Sequence, residues 1–180
     1  MTKSHATMVL ALALTLPTMA SALPPPGSPM PAFSVDDIAG NHHTERDLRG
    51  QWTVAMILTD KDVADDITAW SRRLEAVVRS PARLYRFGAL NLFPLLPTAA
   101  MISRARESTP RHRWNTVWFS RDGSFASALG LPEEEMPWVV VINPEGRVAL
   151  TLHERVSEQG VQRILAALPA PPPAEPALAP

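Results

Sequence analysis

Apolar residues recur along the chain with the periods of strands and helices, and the clearest example lies near its C-terminal end. Residues 138–142 form an unbroken run of tryptophan, valine and isoleucine, which is typical of a strand buried on both faces. Residues 143–146 have the composition of a turn, with proline second and glycine fourth. Residues 147–153 then alternate between polar and apolar, so the two runs predict a β-hairpin. The apolar side chains of its second strand are expected on one face: Val148, Leu150 and Leu152.

Two longer segments carry apolar residues at intervals of three and four positions, which is the spacing of an amphipathic helix. The first set is Val63, Ile67, Trp70, Leu74 and Val77, and the second is Val161, Ile164, Leu165 and Leu168. Asp60 or Asp62 can cap the first helix, and Ser157 the second, because their side-chain oxygens accept bonds from free backbone N–H groups. Pro169 ends the second helix.

Shorter segments before and between these elements have signals of their own. Residues 52–58 suit a buried central strand, and residues 84–90 suit a second strand. The remaining predicted elements are a helix over residues 99–108, a short strand over 115–119 and a helical turn over 125–129. The chain therefore alternates between predicted strands and helices over most of its length.

Both ends of the chain differ in composition from the middle. Residues 1–22 combine a basic residue, an apolar stretch too short to span a bilayer and the box Ala20-Ser21-Ala22. They predict a signal peptide that is cleaved near Ala22. Residues 23–31 are predicted to be a proline-rich linker, and residues 169–180 a disordered tail rich in proline and alanine. Residues 32–168 then suffice for one domain, and a periplasmic or secreted protein that does not span a membrane is expected.

Charge and cysteine content narrow the range of functions. The formal net charge of −1 argues against a nucleic-acid partner. A basic cluster in residues 104–113 is interpreted as solvated side chains near the end of a helix, with a docking patch for an acidic partner as the alternative. The sequence contains no cysteine. Thiol-disulfide exchange and thiol-based peroxide reduction both need a thiolate, so neither activity is expected.

Several motifs resemble those of thioredoxin-like proteins of the redoxin type, which include peroxiredoxins and secreted thiol-disulfide proteins. The motifs are the Leu48-Arg49-Gly50 phrase, the stretch 122–130 with its aspartate and two glycines, and Met136-Pro137 ahead of the hairpin. The resemblance covers residues 31–168 and implies the thioredoxin-like fold, an α/β fold whose central mixed sheet is flanked by helices. It also implies that Pro137 is cis and borders the active site.

The same resemblance points to a candidate site. It places Asp62 and Asp65 over the two cysteines of the family's Cys-x-x-Cys motif, so the chain is interpreted as a cysteine-free member. Asp60, Asp62 and Asp65 would then form an acidic mouth beside Met136 and Pro137, on the former active-site face. Such a face can bind a cation or a basic partner. Alternatively, the aspartates only cap the helix and interact with its dipole.

The sequence is compatible with three functions. A non-catalytic binding or scaffold protein would hold an unknown protein or small ligand on the former active-site face, with no cofactor and no catalytic residue. A metal-binding or thiol-independent enzyme would use the acids of residues 60–66 with His42 or His43, because carboxylates and imidazoles ligate divalent metals. A redox accessory would present the cysteines of a partner. The missing cysteines favour the first of these hypotheses.

Overall fold

A seven-stranded sheet lies at the centre of the protein, in a computed structural model that describes residues 23–78, 82–91, 98–120 and 122–170. Its strands are β1 (Ser34–Asp37), β2 (His42–Thr44), β3 (Thr53–Leu58), β4 (Arg83–Ala89), β5 (Val117–Ser120), β6 (Trp138–Ile142) and β7 (Val148–His153). Their order across the sheet is β2-β1-β5-β4-β3-β6-β7. Strands β3, β4 and β5 run parallel to one another, and the other neighbouring pairs are antiparallel. The predicted α/β fold with a central mixed sheet is therefore confirmed.

The described residues also contain four α-helices. They are α1 (Ala64–Val77), α2 (Thr98–Ser108), α3 (Ser124–Leu129) and α4 (Glu158–Ala167), with short 3-10 turns at Glu45–Leu48, Lys61–Val63 and Arg111–Thr116. Asp60 caps the turn into α1 by accepting a 2.8 Å bond from the Asp62 N–H. Ser157 caps α4 in the same way, accepting a 3.0 Å bond from the Gly160 N–H. The predicted Ser157 cap is thus confirmed, whereas Asp60 caps the 3-10 turn ahead of α1, whose own N-cap, Val63, makes no side-chain cap bond. Each of these helices falls short of what a membrane crossing requires.

Each face of the sheet is covered by a hydrophobic core. Strands β3 and β6 contribute to both cores, because successive side chains of a strand point to opposite faces. The α1 and α4 side receives Val54, Met56, Val139 and Val141. The other side receives Ala55, Ile57, Val140 and Ile142, together with the aromatic rings of Phe33, Tyr85, Phe87, Trp118 and Phe125. Every residue of β6 is buried, which confirms the prediction of a strand covered on both faces.

A bulge in the β6–β7 hairpin places the side chains of β7 before and after it on opposite faces of the sheet. Val148 pairs with Ile142, whereas Leu150 pairs with Val141, so Ala149 is the extra residue of β7. Val148 therefore packs with the Ile142 side of the sheet, and Leu150 packs on the opposite side. The prediction of a single apolar face for this strand is wrong, because a bulge adds a residue without advancing the register.

The proline-rich segment 23–31 packs against the domain and is not a free linker. The Gly27 N–H donates to the Val148 carbonyl at 2.7 Å, and the Met30 N–H donates to the Gly146 carbonyl, in the turn before β7, at 2.9 Å. Leu23 and Met30 are buried in the core. This corrects the expectation drawn from composition, because the residues between the prolines keep N–H groups that pair with the edge of β7 and cover it. The predicted signal peptide and residues 171–180 of the predicted tail lie outside the described residues.

Thr53 at the start of β3 offers a test of the core. Its side chain is fully buried, with 0% exposure, and its Oγ1 has no hydrogen-bond partner within the described ranges. A buried hydroxyl without a partner costs about 1–3 kcal/mol. Thr53→Val should therefore raise the free energy of unfolding by about 1 kcal/mol, measured by urea denaturation. Thr68→Val is the matched control, since the exposed Thr68 hydroxyl donates to the Ala64 carbonyl at 3.0 Å, and an equal gain in both variants would contradict the explanation.

Candidate functional site

The end of β3 lies beside the start of β6, and this junction collects several of the predicted site residues. The two strands are antiparallel, with Ile57 opposite Trp138. Residues that follow β3 therefore leave the sheet where the residues that precede β6 enter it. The register places Asp60 and Asp62 at the same end of the sheet as Met136.

Thr59 fastens these two segments together. The Glu134 N–H donates to Thr59 Oγ1 at 3.0 Å, and the same hydroxyl lies 3.5 Å from the Glu134 carbonyl oxygen. Thr59 is buried, with 4% exposure, so this contact is shielded from competing water. The loop before β6 is thereby held against the end of β3. Sequence reasoning missed this role, because it depends on a partner 75 positions away and no local pattern marks it.

Lys61 lies among the carboxylates of this junction. Its Nζ donates to Asp62 Oδ1 at 2.7 Å. This hydrogen bond and the charge of Asp62, followed by the charges of Asp60 and Glu133, raise the pKa of the Lys61 ammonium. Three carboxylates thus act on one ammonium, so the junction carries a net negative charge at neutral pH.

The remaining aspartates of the predicted cluster lie on α1. Asp65 is exposed in the first turn of the helix. Asp66, also in that turn, faces Arg155, whose Nε lies 3.4 Å from Asp66 Oδ2. Carboxylates at this end of a helix interact favourably with its dipole. The α1 aspartates therefore fit the interpretation of a favourable interaction with the helix dipole, whereas Asp60 and Asp62 contribute to the charged junction.

Met136 adds an apolar side chain to this charged surface. It is 38% exposed, whereas the other large hydrophobic side chains of the described residues are buried or half-buried. Pro137 directly after it is buried and so anchors the loop in the core. Methionine is flexible and polarizable, and it adapts to apolar partners of different shapes. The surface formed by Asp60, Lys61, Asp62, Glu133 and Met136 is called the Met136 face below.

The two histidines considered as metal ligands lie elsewhere. His42 and His43 belong to β2, which is four positions from β3 in the strand order and hence about 19 Å away. His42 Nδ1 lies 3.0 Å from Asp36 Oδ1, and His43 Nε2 lies 2.9 Å from Asp37 Oδ2. The structure therefore does not join these histidines to the acids of residues 60–66. In the described part of the chain, no three histidine, aspartate or glutamate side chains form a group that could hold a metal ion.

Asp37 holds the turn between β1 and β2. Its buried carboxylate accepts bonds from the Gly40 and Asn41 N–H groups at 2.8 and 2.9 Å, and it contacts His43 Nε2. Burial raises the pKa of this carboxyl, but the bonds from His43, Asn41 and Gly40 outweigh it and lower the pKa overall. His43 also stacks on Trp118, with ring centroids 4.3 Å apart. The pair His43 and Asp37 is thus part of the framework of this edge of the sheet.

Asp37→Asn should lower the free energy of unfolding by about 1–2 kcal/mol at pH 7, because charge-assisted hydrogen bonds are lost. A lowered folded-state pKa means that ionised Asp37 stabilises the fold above its unfolded pKa, about 3.9, and that this stabilisation is lost as the pH falls through the folded value. The difference in urea midpoint between the wild type and Asp37→Asn should therefore become smaller below about pH 4. Asp36→Asn, at an exposed neighbour, is the control, and a gap independent of pH would contradict the assignment.

Asp122 ties β5 to the start of α3. It accepts bonds from the hydroxyls of Ser120 and Ser124, both at 2.6 Å, and from the Ser124 N–H at 3.0 Å. These bonds lower the pKa of Asp122 to about 2. The two hydroxyls are therefore engaged as donors to a carboxylate. The spacing Ser-x-Asp-x-Ser before a helix is the sequence signal that could have identified this connection.

Comparison with known proteins identifies solved structures that are similar to this one. The sequence matches no family model and no curated protein. Three similar solved structures are the exposed lipoprotein thioredoxin of Streptococcus pneumoniae (TM-score 0.57, 11% identity, covering 76% of this chain and 99% of that chain), yeast Sco1 with copper bound (0.57, 18%, 84% and 98%) and a thio-disulfide isomerase from Thermus thermophilus (0.56, 16%, 79% and 96%).

These structural similarities span most of both chains, although the sequence identities are low. They agree with the expectation drawn from the Pro137 segment and the hairpin that follows it. The chain has the thioredoxin-like fold, in a form that contains no cysteine.

Proposed function

We propose that this protein is an exported binding or scaffold protein that holds a partner on the Met136 face without thiol chemistry. The proposal rests mainly on the bond between Thr59 and Glu134, which holds the loop that carries Met136 at the same end of the sheet as the carboxylates around Lys61. The chain has no cysteine with which to perform the exchange chemistry that the thiol proteins of this fold carry out. A charged surface with an exposed methionine and no thiol supports binding rather than thiol exchange.

The chemistry of the Met136 face defines the partner that fits it. Carboxylates of Asp60, Asp62 and Glu133 outnumber the Lys61 ammonium, so lysine or arginine side chains are complementary. The Met136 side chain offers an apolar contact at the edge of these charges. The fitting partner is a polypeptide segment that places an apolar residue next to basic ones.

Export is part of the proposal and has its own test. Residues 1–22 would act as the signal peptide, and Leu23, the first residue after the proposed cleavage site, is buried in the core (3% exposed). When the full chain is expressed in a bacterial host, the intact mass of the protein in the periplasmic or culture fraction should correspond to a chain that begins at Leu23. A protein that retains residues 1–22 in every fraction would contradict this part of the proposal.

The binding role is tested by affinity capture with matched variants. Purified protein is immobilised and exposed to periplasmic extract of the native host, and retained proteins are quantified by mass spectrometry. Met136→Lys places a positive charge on the proposed contact. Ala166→Lys makes the corresponding change at an exposed position of α4, away from the Met136 face.

Wild type and Ala166→Lys should retain the same partner, and Met136→Lys should lose most of it. Because the contact is electrostatic in part, retention should also fall as salt is raised from about 0.05 to 0.5 M. Equal retention by all three proteins would rule out the Met136 face as the binding surface. Insulin-disulfide reduction or peroxide consumption by the purified protein would contradict a role without redox chemistry.

A further inference from the structure

A second feature of the molecule is a cavity on the α1 side of the sheet, lined by none of the residues of the Met136 face. It has a volume of about 290 Å³ and opens between α1, β4 and the turn Arg111–Thr116. Its polar lining includes Ser71, Glu75, Arg86 and Arg113, and its apolar wall includes Met56 and Leu84. The cavity thus combines cationic groups with an aliphatic surface.

The charges inside this cavity do not balance. The carboxylate of Glu75 forms an ion pair with Arg113. Arg86 is half-buried on β4, and within the described residues its guanidinium has no recorded ion pair or hydrogen bond. Burial lowers the pKa of Arg86, an effect that the nearby Glu75 charge opposes and the Arg113 charge reinforces. Two guanidiniums therefore share one carboxylate, which leaves one positive charge in excess.

Ser71 supplies a second unsatisfied group at the same place. The residue is buried, with 6% exposure, and its hydroxyl contacts Met56 Sδ at 3.5 Å. A thioether sulfur is a weak acceptor. The Ser71 hydroxyl is therefore able to exchange this contact for a stronger one with an oxyanion.

We propose that this cavity binds a small aliphatic carboxylate, with its carboxylate on Arg86 and the Ser71 hydroxyl and its hydrocarbon part on Met56 and Leu84. A monoanion matches the single excess charge, and charge-assisted bonds to a guanidinium are strong. The volume of about 290 Å³ lies just below the usual range for ligand cavities, about 300–1,000 Å³, which favours a short ligand. This site is separate from the Met136 face and does not depend on the function proposed for it.

Pentanoate is the probe, titrated into the mature protein and followed by calorimetry and by backbone amide shifts. Wild-type protein should bind it at one saturable site. Arg86→Met should weaken the affinity at least about tenfold, because a charge-assisted hydrogen bond is removed. Arg83→Met is the matched control, since Arg83 is exposed on the same strand, and its affinity should equal that of wild type. Pentanamide, which has a similar shape and no charge, should bind at least tenfold more weakly than pentanoate.

Arg86→Met should also remain folded, with a melting temperature no lower than that of the ligand-free wild type, because an apolar side chain replaces a half-buried guanidinium that has no hydrogen-bonded partner among the described residues. Loss of binding in a folded variant supports the site. The proposal is overturned by the absence of saturable pentanoate binding, by equal affinity of Arg86→Met and wild type, or by equal affinity for pentanamide. Displacement of pentanoate by an equal concentration of inorganic phosphate would also overturn it, because the hydrocarbon contact would then contribute nothing.

Discussion

Trp70→Ala should lower the free energy of unfolding by about 3–5 kcal/mol, the largest effect expected of any single substitution considered for this protein. Trp70 is fully buried, with 0% exposure, in the core between α1, α4 and the sheet. Its indole Nε1 donates to the Glu154 carbonyl at 3.1 Å, which ties α1 to the segment before α4. Alanine would remove this hydrogen bond and leave a cavity that the surrounding helices cannot fill.

Urea denaturation of Trp70→Ala, Trp70→Phe and Trp52→Ala separates these contributions. Trp70→Phe keeps most of the ring and loses the hydrogen bond, so a loss of about 1–2 kcal/mol is expected. Trp52 is only half-buried at the edge of the same core, and its replacement should cost less than that of Trp70. Equal losses for Trp52→Ala and Trp70→Ala would contradict the placement of Trp70 at the centre of this core.

Gly160→Ala should destabilise the protein by about 2–3 kcal/mol, although alanine is normally the better helix former. A Cβ on Gly160 would lie 2.8 Å from Trp70 Cη2 and would also contact Glu154 Oε1. The Glu154 side chain can move at little cost, but Trp70 is fixed in the core. The overlap with the indole therefore outweighs the gain in helix propensity, which is at most about 1 kcal/mol.

The source of this effect is isolated by a control and by a double-mutant cycle. Ala166→Gly at an exposed position of the same helix should lose about 1 kcal/mol, which shows the ordinary preference for alanine. In a Trp70→Ala background the Gly160→Ala change should be neutral or stabilising, because the overlapping ring is gone. Additive losses in the double variant would contradict an overlap between Gly160 and Trp70.

Elements with strong local signals were predictable from the sequence. The continuous apolar run of β6, the Ser157 cap and the three-and-four spacing on α1 each specify structure through contacts within a few residues. The resemblance carried by the Pro137 segment added the fold and the location of the candidate face. The structure agrees with the expected fold at the level of strands and helices, whereas the candidate face stays a prediction.

Features that depend on distant contacts were not predictable. The bulge at Ala149 arises from the fit of β7 to β6, and the packing of Leu23 depends on an edge strand more than a hundred residues away. The separation of His43 from Asp62 follows from the strand order, which no local pattern specifies. Arg86 is unremarkable in the sequence, and its excess charge becomes visible only when Glu75 and Arg113 are brought beside it.

Mapping where a captured partner binds tests the role of the Met136 face most directly. Isotope-labelled protein is titrated with the partner that wild type retains, and backbone amide shifts are recorded by NMR. The largest shifts should cluster at Thr59, Lys61, Glu134 and Met136, and Met136→Lys should abolish them. Shifts confined to another surface, or equal shifts in Met136→Lys, would contradict the claim that this thiol-free face is the binding site.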